Sequence, residues 1–376
     1  MPSAPSPGAP LRFQGHIPFW GVEQDKDEWG LTPQEQETYV EQFRRVLESK
    51  HAWAKDQDFY LLRRFLRARS YDLEKATAMW MNNVAFKKEF NVDTILEDFV
   101  FEEREPFLEA YPQGYHKCDK LGRPVYIQLL GKVNVEAMKK VTTEDRMIKF
   151  HIQEYERCRK VILPVCSKLA GRNIDQTFGI MDVKGVGLSH FTGEVKRLLG
   201  LITKYDQDNY PEMLGHICVI NAPWVFRMIW AVVRCYLDPR TQSKIEILDS
   251  NYLPALLKWV DKESLPEWLG GSSHGTLIED IGPWSNGRLM ATLGLKVEDH
   301  ASSKVSFCRK FAASVGSWKS WNVRHAPFVA FLSYIYHAAS VYFSNAHEFV
   351  MCALSTFCFT NRACHGPMAA KGSSAQ

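Results

Sequence analysis

The sequence predicts an α/β protein in which an all-helical N-terminal module packs on a second domain with a mostly parallel sheet. From about Thr32 to Val92 the apolar residues recur at helical spacing throughout, which indicates the helical module. From about Arg104 to Gly271 short apolar strands alternate with helical segments. This alternation favours parallel strands joined by right-handed crossovers, because parallel neighbours need a long return connection.

Helix-start and spacing signals support the helical module. Pro33 follows Thr32 at the head of an acidic first turn, which is typical of a helix N-terminus. A second helix carries four apolar residues at helical spacing with four arginines among them. The apolar residues are Phe59, Leu62, Phe65 and Leu66, and the arginines are Arg63, Arg64, Arg67 and Arg69. A further helix is predicted from Leu73 to about Phe90.

Four strands are predicted in the second domain. Each is a short apolar run next to turn residues, such as Gly122-Arg123-Pro124 before the first run. The runs are Val125–Leu129, Thr177–Val183, Ile217–Ile220 and Ile245–Leu248. Residues 193–205 and 224–237, which lie between these runs, are predicted to be helices.

Charge and cysteine content narrow the class of function. The formal net charge of +3 over 376 residues is too small to indicate a nucleic-acid partner. Residues 301–376 carry seven basic residues and one acid, a net +6, and residues 1–300 carry a net −3. This charge distribution favours an anionic membrane surface over DNA as the binding partner. The nine cysteines form no CxxC pair, so reduced thiols in the cytosol are the simplest interpretation.

Four zones are predicted along the chain. Residues 1–31 are expected to be irregular, residues 32–100 form the helical module, and residues 101–288 form the α/β domain. Residues 289–376 are a basic, aromatic tail with no Asp, Glu, Lys or Arg between 326 and 347. That stretch predicts a helix in the membrane interface. A transmembrane anchor and a helix packed on the protein body are the alternatives.

The predicted helix over residues 224–237 is apolar on every face. Its sequence, WVFRMIWAVVRCYL, contains only two charged residues, Arg227 and Arg234. A helix that covers a sheet normally keeps one face in contact with water. Two interpretations remain open for this helix: a fully buried core helix, or a helix with a lipid behind it and a membrane in front of it.

A series of short motifs occurs in fixed order over about residues 32–285. They are Phe65-Leu66-Arg67-Ala68-Arg69, Tyr115-His116-Lys117, Gly122-Arg123-Pro124-Val125-Tyr126, Ile180-Met181-Asp182, Tyr210-Pro211-Glu212, Ile220-Asn221-Ala222-Pro223, Leu237-Asp238-Pro239, Leu265-Pro266 with Gly270-Gly271, and Asp280-Ile281-Gly282-Pro283-Trp284. In this order they strongly resemble the CRAL-TRIO family, most closely its yeast-type phosphatidylinositol/phosphatidylcholine transfer proteins. The resemblance implies a helical module packed on an α/β lipid pocket, with a mobile gate helix over the pocket mouth.

The resemblance also implies roles for particular residues. The apolar helix stands where the gate belongs, with Gly271 as its hinge. The gate residues are Trp224, Val225, Phe226, Met228, Ile229, Trp230 and Val233. The positions implied to bind the phosphatidylinositol headgroup are Arg69, Glu212, Thr241 and Lys244, and all four keep the residue type of the family. Cationic donors suit the phosphate, and a carboxylate suits the inositol hydroxyls.

A second-lipid site is implied at positions that match the phosphatidylcholine site of the family. These positions are Tyr115, Tyr126, Tyr155 and Thr177. Tyrosine rings can face a quaternary ammonium, although plain core packing is the alternative for these three. Thr177 stands where the family has serine, and Gly179 stands where the family has threonine, so a hydroxyl donor is absent at position 179. The second lipid therefore stays open between phosphatidylcholine and another lipid.

The sequence predicts a carrier that binds a phospholipid, preferably phosphatidylinositol, and exchanges it at a membrane surface without catalysis. We expect no cofactor, no metal ion and no nucleic-acid partner. The resemblance implies a monomer that is cytoplasmic and peripheral on Golgi, endosomal or plasma membranes, with a role in vesicle traffic. A family carrier of a tocopherol, retinoid or sterol is the alternative. A hydrolase that uses Ser273 in a G-x-S-x-G pattern is set aside, because glycines precede the pattern where a strand is needed.

Overall fold

The computed structural model describes residues 26–52, 58–186, 193–224 and 242–295. Helices dominate the first part of the chain and then alternate with strands. The helices are α1 (Pro33–Ser49), α2 (Phe59–Ala68), α3 (Leu73–Phe90), α4 (Ile95–Asp98), α5 (Arg104–Ala110), α6 (Val135–Val141), α7 (Glu144–Arg157), α8 (Leu163–Ala170), α9 (Gly193–Asn209), α10 (Leu253–Trp259) and α11 (Gly287–Thr292).

Within these ranges one sheet of five strands organises the α/β part, in the order β1-β2-β3-β4-β5. The strands are β1 (Gln113–Cys118), β2 (Pro124–Leu129), β3 (Thr177–Asp182), β4 (Leu214–Ile220) and β5 (Ile245–Ile247). β1 pairs antiparallel with β2, and the three following pairs are parallel. The predicted fold class, N-terminal helices on a mostly parallel sheet, is therefore confirmed. β1 was not predicted.

The N-terminal helices begin where the sequence signals predict. The Thr32 hydroxyl accepts from the backbone N–H of Glu35 at 3.3 Å, and the Glu35 carboxylate accepts from the backbone N–H of Thr32 at 2.8 Å. This reciprocal cap satisfies two backbone donors that the first turn of α1 leaves without a helical partner. Trp80 of α3 joins the three helices, because its ring centroid lies 5.9 Å from Phe43 of α1 and 4.8 Å from Phe65 of α2.

The two faces of the sheet pack against different helices. Alternate strand residues form a core with α10 and the loop after it, here called the α10 face. They are Val125, Ile127, Phe178, Ile180, Cys218 and Ile220, packed with Leu256, Val260 and Leu265. The opposite face, here called the tyrosine face, carries Tyr115, Tyr126, Thr177, Gly179 and Ile217. Tyr115 and Tyr126 pack with residues of α7 and α8.

A π-helical turn joins α7 to α8 over the tyrosine face. It spans Cys158–Ile162 and ends two residues before Pro164, whose ring nitrogen has no hydrogen to donate to the preceding turn. The turn places Cys158 in the same core cluster as Tyr115, and the two side chains are hydrogen-bonded. The widened turn therefore fixes the position of a tyrosine implied to bind lipid.

Several predictions fall outside the residues that the structure describes. They concern Val225, Phe226, Met228, Ile229, Trp230 and Val233 of the predicted gate, Thr241, and the tail from residue 296 onward. Trp224 is described, and 71% of its surface is exposed. Among the described helices, none has the length and apolar character needed to cross a membrane.

Candidate functional site

Two of the four residues predicted to bind the phosphatidylinositol headgroup meet at the amino ends of parallel strands. Glu212 lies in the turn between α9 and β4, and Lys244 immediately precedes β5. The backbone N–H of Ile217 donates to the Lys244 carbonyl at 2.7 Å, which holds Lys244 beside β4. The Lys244 Nζ donates to the Glu212 Oε2 at 3.1 Å, and their side chains are only 16% and 7% exposed. A cation and an anion are therefore held together in a largely buried position.

The turn that carries Glu212 is fixed by its backbone and by β3. Glu212 has a φ of +59°, in the left-handed region, which costs a residue with a side chain roughly 1–2 kcal/mol. The side-chain amide of Gln176 donates to the Glu212 carbonyl at 3.4 Å. The backbone N–H of Thr177 donates to the Met213 carbonyl at 2.7 Å. The start of β3 therefore sets the position of the Glu212 carboxylate.

Arg69, the third predicted headgroup residue, lies near the end of α9. It forms the C-cap of α2, and its Nη1 donates to the Ala68 carbonyl at 3.0 Å. Burial raises the pKa of Asp208 in the last turn of α9, and the charges of Lys204 and then of Arg69 partly oppose this increase. Arg69 is therefore close to the helix that leads into Glu212, whereas Thr241, the fourth residue, lies outside the described ranges.

Sequence reasoning missed a second ion pair beside Lys244 and Glu212. Arg67 of α2 pairs with Glu28, which precedes α1, and their side chains are 10% and 25% exposed. The Arg67 guanidinium also lies 5.1 Å from the ring centroid of Trp29. We call Glu28, Arg67, Glu212 and Lys244 the ion cluster. The run of arginines in α2 was the available signal, but the run does not show which arginine turns inward.

The charges of the ion cluster stabilise one another. Burial alone would raise the pKa of Glu28, but the Arg67 guanidinium and then the Lys244 ammonium lower that pKa below its usual value. Burial alone would lower the pKa of Arg67, but the carboxylates of Glu28 and Glu212 raise it overall. Glu28 and Arg67 are therefore both charged at neutral pH, next to Lys244 and Glu212.

Two other arginines of α2 attach the helical module to the start of β3. Arg63 forms an ion pair with Asp175 at 2.9 Å, and the Arg64 Nη1 donates to the Asp175 carbonyl at 3.4 Å. Asp175 stands two residues before β3, so α2 docks on the amino ends of the strands. This docking brings Arg67 close to Glu212, although the two residues are far apart in the sequence.

Three of the residues predicted for the second lipid lie on the tyrosine face, and the fourth, Tyr155, lies in α7, which packs in the same core. The ring centroids of Tyr115 and Tyr126 are 4.7 Å apart, and Tyr155 stacks on Tyr210 at 4.6 Å. Burial raises the pKa of Tyr115 and of Tyr126, so both hydroxyls stay neutral. The Thr177 hydroxyl donates to the Met213 carbonyl at 3.3 Å. The three tyrosines share one core cluster, and Tyr210, which the sequence analysis quoted only as part of a motif, is their neighbour.

Gly179 leaves room for the side chain of the neighbouring strand. A Cβ at this position would lie 2.9 Å from the Cγ1 of Ile217, closer than carbon atoms normally approach. The threonine that the family resemblance implies at position 179 would therefore require Ile217 to move. Glycine at position 179 and isoleucine at position 217 fit each other, and the tyrosine face carries no hydroxyl at position 179.

The predicted hinge glycine lies in a tightly packed loop. A Cβ at Gly271 would overlap the carbonyl oxygen of Leu265, so a larger residue does not fit without backbone movement. The backbone N–H of Gly271 donates to the Pro266 carbonyl at 3.0 Å. The close backbone approach explains the glycine, and the hinge role stays a prediction.

The G-x-S-x-G pattern forms a loop, as predicted. Ser273 is 4% exposed, and its Oγ lies 2.9 Å from the Nε2 of His116, which is fully buried. Within the described residues, the Nδ1 of His116 has no hydrogen-bond partner. A histidine that activates a serine nucleophile is normally oriented by a group on its other nitrogen. The pair links β1 to this loop through a buried contact.

Folding is expected to shift the pKa values of two histidines in opposite directions. Burial, together with the charge of Lys117, lowers the pKa of His116 to about 4. Burial would also lower the pKa of His151, but Asp206, whose Oδ1 lies 2.6 Å from the His151 Nε2, raises that pKa overall. Folding should therefore gain stability as the pH rises from about 4 to 6.5 through His116. The stability from the His151 pair is present below pH 6.5 and lost as the pH rises through the raised pKa.

This pH behaviour can be measured by NMR titration of the histidine rings, with His116→Gln and His151→Gln variants to assign the signals. The His116 ring should remain neutral at pH 5.5, whereas the His151 ring should still be protonated above pH 6.5. A ring signal of His116 that titrates near 6.5, or a His151 signal that titrates below 6.5, would contradict the burial and pairing described above.

The sequence suggested no metal-ligand spacing, yet the sheet brings three ligand-type side chains together. His216 and Cys218 of β4 and Glu246 of β5 lie on the α10 face, with their ligand atoms within 4.8 Å of one another. The signal was a histidine and a cysteine two residues apart on one strand, which becomes informative only when the register of β5 is known.

Comparison with known proteins identifies relatives of this chain. Residues 108–271 match the family model of the CRAL/TRIO domain. The chain is 44% identical over 257 residues to the phosphatidylinositol/phosphatidylcholine transfer protein SFH7 of Arabidopsis thaliana, which covers 67% of this chain and 47% of that protein. It is 42% identical over 261 residues to the SEC14 cytosolic factor of Kluyveromyces lactis, which covers 68% of this chain and 86% of that protein.

The chain spans less than half the length of the Arabidopsis relative and most of the length of the yeast relative. Among solved structures, the crystal structure of Sfh5 aligns with a TM-score of 0.49 and 14% sequence identity, and the alignment covers 65% of this chain and 90% of that chain.

Proposed function

Because the chain belongs to the CRAL/TRIO domain family, we propose that it binds one phospholipid, with phosphatidylinositol preferred, and exchanges it at membrane surfaces. No covalent bond is made or broken in this process. The buried pair of Lys244 and Glu212 is the observation that carries the proposal. The pair supplies a cation and an anion at the amino ends of β4 and β5, and a headgroup with both a phosphate and hydroxyls needs both.

The chemistry of phosphoinositol fits the ion cluster. The Lys244 ammonium would donate to the phosphate, and the Glu212 carboxylate would accept from inositol hydroxyls. Arg69 would support the site from α2, and Thr241 would donate its hydroxyl. Lys244 and Glu212 pair with each other, so a bound headgroup would exchange one set of charge-assisted hydrogen bonds for another.

The acyl chains explain why exchange needs a membrane. Two chains bury about 30 methylenes at about 0.8 kcal/mol each, so release into water would cost more than about 20 kcal/mol. The carrier must therefore open while it touches a bilayer. The apolar segment 224–237 would serve as the gate with Gly271 as its hinge, and the exposure of Trp224 at the start of this segment supports a membrane-facing role.

The tyrosine face supports a site for a second lipid. The neutral, buried rings of Tyr115 and Tyr126, beside Tyr155, could surround a quaternary ammonium. Gly179 supplies no hydroxyl to a phosphate at this place. We therefore propose phosphatidylcholine or another phospholipid as the counter-ligand, carried by a monomer that is peripheral on membranes of the cytoplasmic side.

The proposal is tested by purifying the protein from cells and identifying its bound lipid by mass spectrometry. Phosphatidylinositol should co-purify at up to one molecule per chain. The purified protein should also transfer labelled phosphatidylinositol from donor to acceptor vesicles. A tocopherol, retinoid or sterol as the only bound ligand would overturn the headgroup assignment. Release of fatty acid from labelled phospholipid, lost in Ser273→Ala, would overturn the non-enzymatic function.

A further inference from the structure

A cluster of three potential metal ligands lies on the α10 face, away from the residues assigned to lipid. His216 and Cys218 are two residues apart on β4, so both side chains point to the same side. Glu246 pairs with Cys218 across the parallel strands. The His216 Nε2 lies 3.5 Å from the Glu246 Oε2, and the Cys218 Sγ lies 3.8 Å from the same oxygen.

The separations suit a single small cation at the centre of the cluster. Tetrahedral zinc binds histidine nitrogen and carboxylate oxygen at about 2.0 Å and thiolate sulfur at about 2.3 Å, which places the ligand atoms roughly 3.3–3.6 Å apart. All three ligand atoms here lie within 4.8 Å of one another. Small side-chain rotations would therefore bring each donor to bonding distance, without a change in the sheet.

Trp259 at the end of α10 orients two of the three ligands. Its indole ring stacks on the His216 ring with centroids 4.0 Å apart, and its Nε1 donates to the Glu246 Oε2 at 3.1 Å. Groups that fix the orientation of ligand side chains are a regular part of protein metal sites. The Cζ atom of Arg123 lies 5.7 Å from the centroid of the Trp259 ring. An ion pair with Asp119 holds this guanidinium in place.

Burial gives the cluster both a dry interior and an access route. His216 is 6% exposed and Cys218 is fully buried, whereas 35% of the Glu246 side chain is exposed. An ion could therefore enter past the carboxylate and then reach the nitrogen and the sulfur. The sulfur ligand disfavours Mg²⁺ and Ca²⁺, which prefer oxygen donors, and favours Zn²⁺ among the common divalent ions.

We propose that His216, Cys218 and Glu246 form a Zn²⁺ site with three protein ligands and one position left for water or another small ligand. This proposal revises the expectation from the sequence that the chain holds no metal. Binding would replace the proton of the Cys218 thiol with the metal ion and release that proton to solvent. The ion would link the three-residue strand β5, which begins directly after Lys244, to β4.

The site is tested with Co²⁺ as a spectroscopic probe on the full, reduced chain. One equivalent of Co²⁺ should produce a thiolate-to-cobalt charge-transfer band, and Zn²⁺ should displace it. Cys218→Ser should abolish the band, and Glu246→Gln should weaken Co²⁺ binding by at least the roughly tenfold that loss of a group orienting a ligand already costs. Zn²⁺ should raise the thermal unfolding midpoint of the parent more than that of Glu246→Gln.

Cys166→Ser is the matched control. The Cys166 Sγ lies only 3.6 Å from the Cys118 Sγ, so within the described residues these two thiols form the pair that could compete for Co²⁺. This control should keep the band and the Zn²⁺-dependent rise of the midpoint. A parent protein without a band, or a band that survives Cys218→Ser, would overturn the proposal. If Cys218→Ser does not fold, Glu246→Gln decides alone, because the half-exposed carboxylate can be replaced without a cavity. Unchanged Co²⁺ affinity in that variant would also overturn the site.

Discussion

Lys244→Ala is expected to lower the rate of phosphatidylinositol transfer between vesicles by about tenfold to a hundredfold. The variant removes the ammonium that we propose for the headgroup phosphate. Hydrogen bonds to charged groups contribute roughly 1.5–3 kcal/mol, and each 1.4 kcal/mol corresponds to a factor of ten in an equilibrium constant. Apolar contacts with the acyl chains should persist, so transfer of a lipid that does not use this site should fall much less.

Two controls separate headgroup recognition from damage to the fold. Lys244→Ala leaves the Glu212 carboxylate, which is only 7% exposed, without this cation, and that loss can destabilise the protein. The double variant Lys244→Ala with Glu212→Gln should recover the unfolding midpoint but not phosphatidylinositol transfer. Lys262→Ala removes the same charge from an exposed position of the same domain and should leave transfer unchanged. Equal transfer by Lys244→Ala and the parent would refute the assignment of the headgroup site.

The fold was predictable where a local pattern carried the information. β2 to β5 contain β-branched and apolar runs, and each strand was predicted to within a few residues. The helix from Leu73 to Phe90 was predicted at both ends, and in the structure Asp72 and Asn91 cap it. β1 was missed because its sequence, QGYHKC, shows neither an apolar run nor a regular alternation. Its partner β2 makes β1 a strand, and pairing of this kind is not visible in a local window.

The candidate site was less predictable than the fold. In open α/β sheets, ligands usually bind beyond the carboxyl ends of the strands. Glu212 and Lys244 instead lie at the amino ends of β4 and β5, so only the family resemblance indicated them. The pairing of Glu28 with Arg67 joins two segments 39 residues apart. The contact depends on how α2 docks on the sheet, and no spacing rule in the sequence gives that geometry.

The cluster of His216, Cys218 and Glu246 also could not be predicted from local sequence alone. The two residues of β4 share a face by simple alternation, which the sequence does reveal. Glu246 joins them only because β5 pairs with β4 in a register that sets it beside Cys218. A shift of one residue would turn Glu246 to the opposite face. Strand register therefore decides whether these residues form one site, and register is a tertiary property.

Arg67→Met is expected to lower the free energy of unfolding by about 3 kcal/mol, the lower end of the range for breaking a buried ion pair. The side chain of Arg67 is 10% exposed and that of Glu28 is 25% exposed, so the variant leaves a largely buried carboxylate without its guanidinium. Arg67 also contacts the Trp29 ring, whose packing helps to hold the segment before α1. Urea unfolding followed by circular dichroism measures the change.

The double variant Arg67→Met with Glu28→Gln should recover most of this loss, because removal of both charges also removes the cost of burying one of them. Arg45→Met breaks an exposed pair, since 74% of the Arg45 side chain is accessible, and should cost less than about 0.5 kcal/mol.

Acid should destabilise the parent protein in the same way as Arg67→Met, because it removes the charge of Glu28. The pKa of Glu28 is lowered by folding, so the stability from its pair is present above the usual value of 4.5 and lost as the pH falls through the lower folded pKa. If the double variant were no more stable than Arg67→Met, the loss would come from packing rather than from charge, and the pair of Arg67 and Glu28 would not be what stabilises the N-terminal helical module.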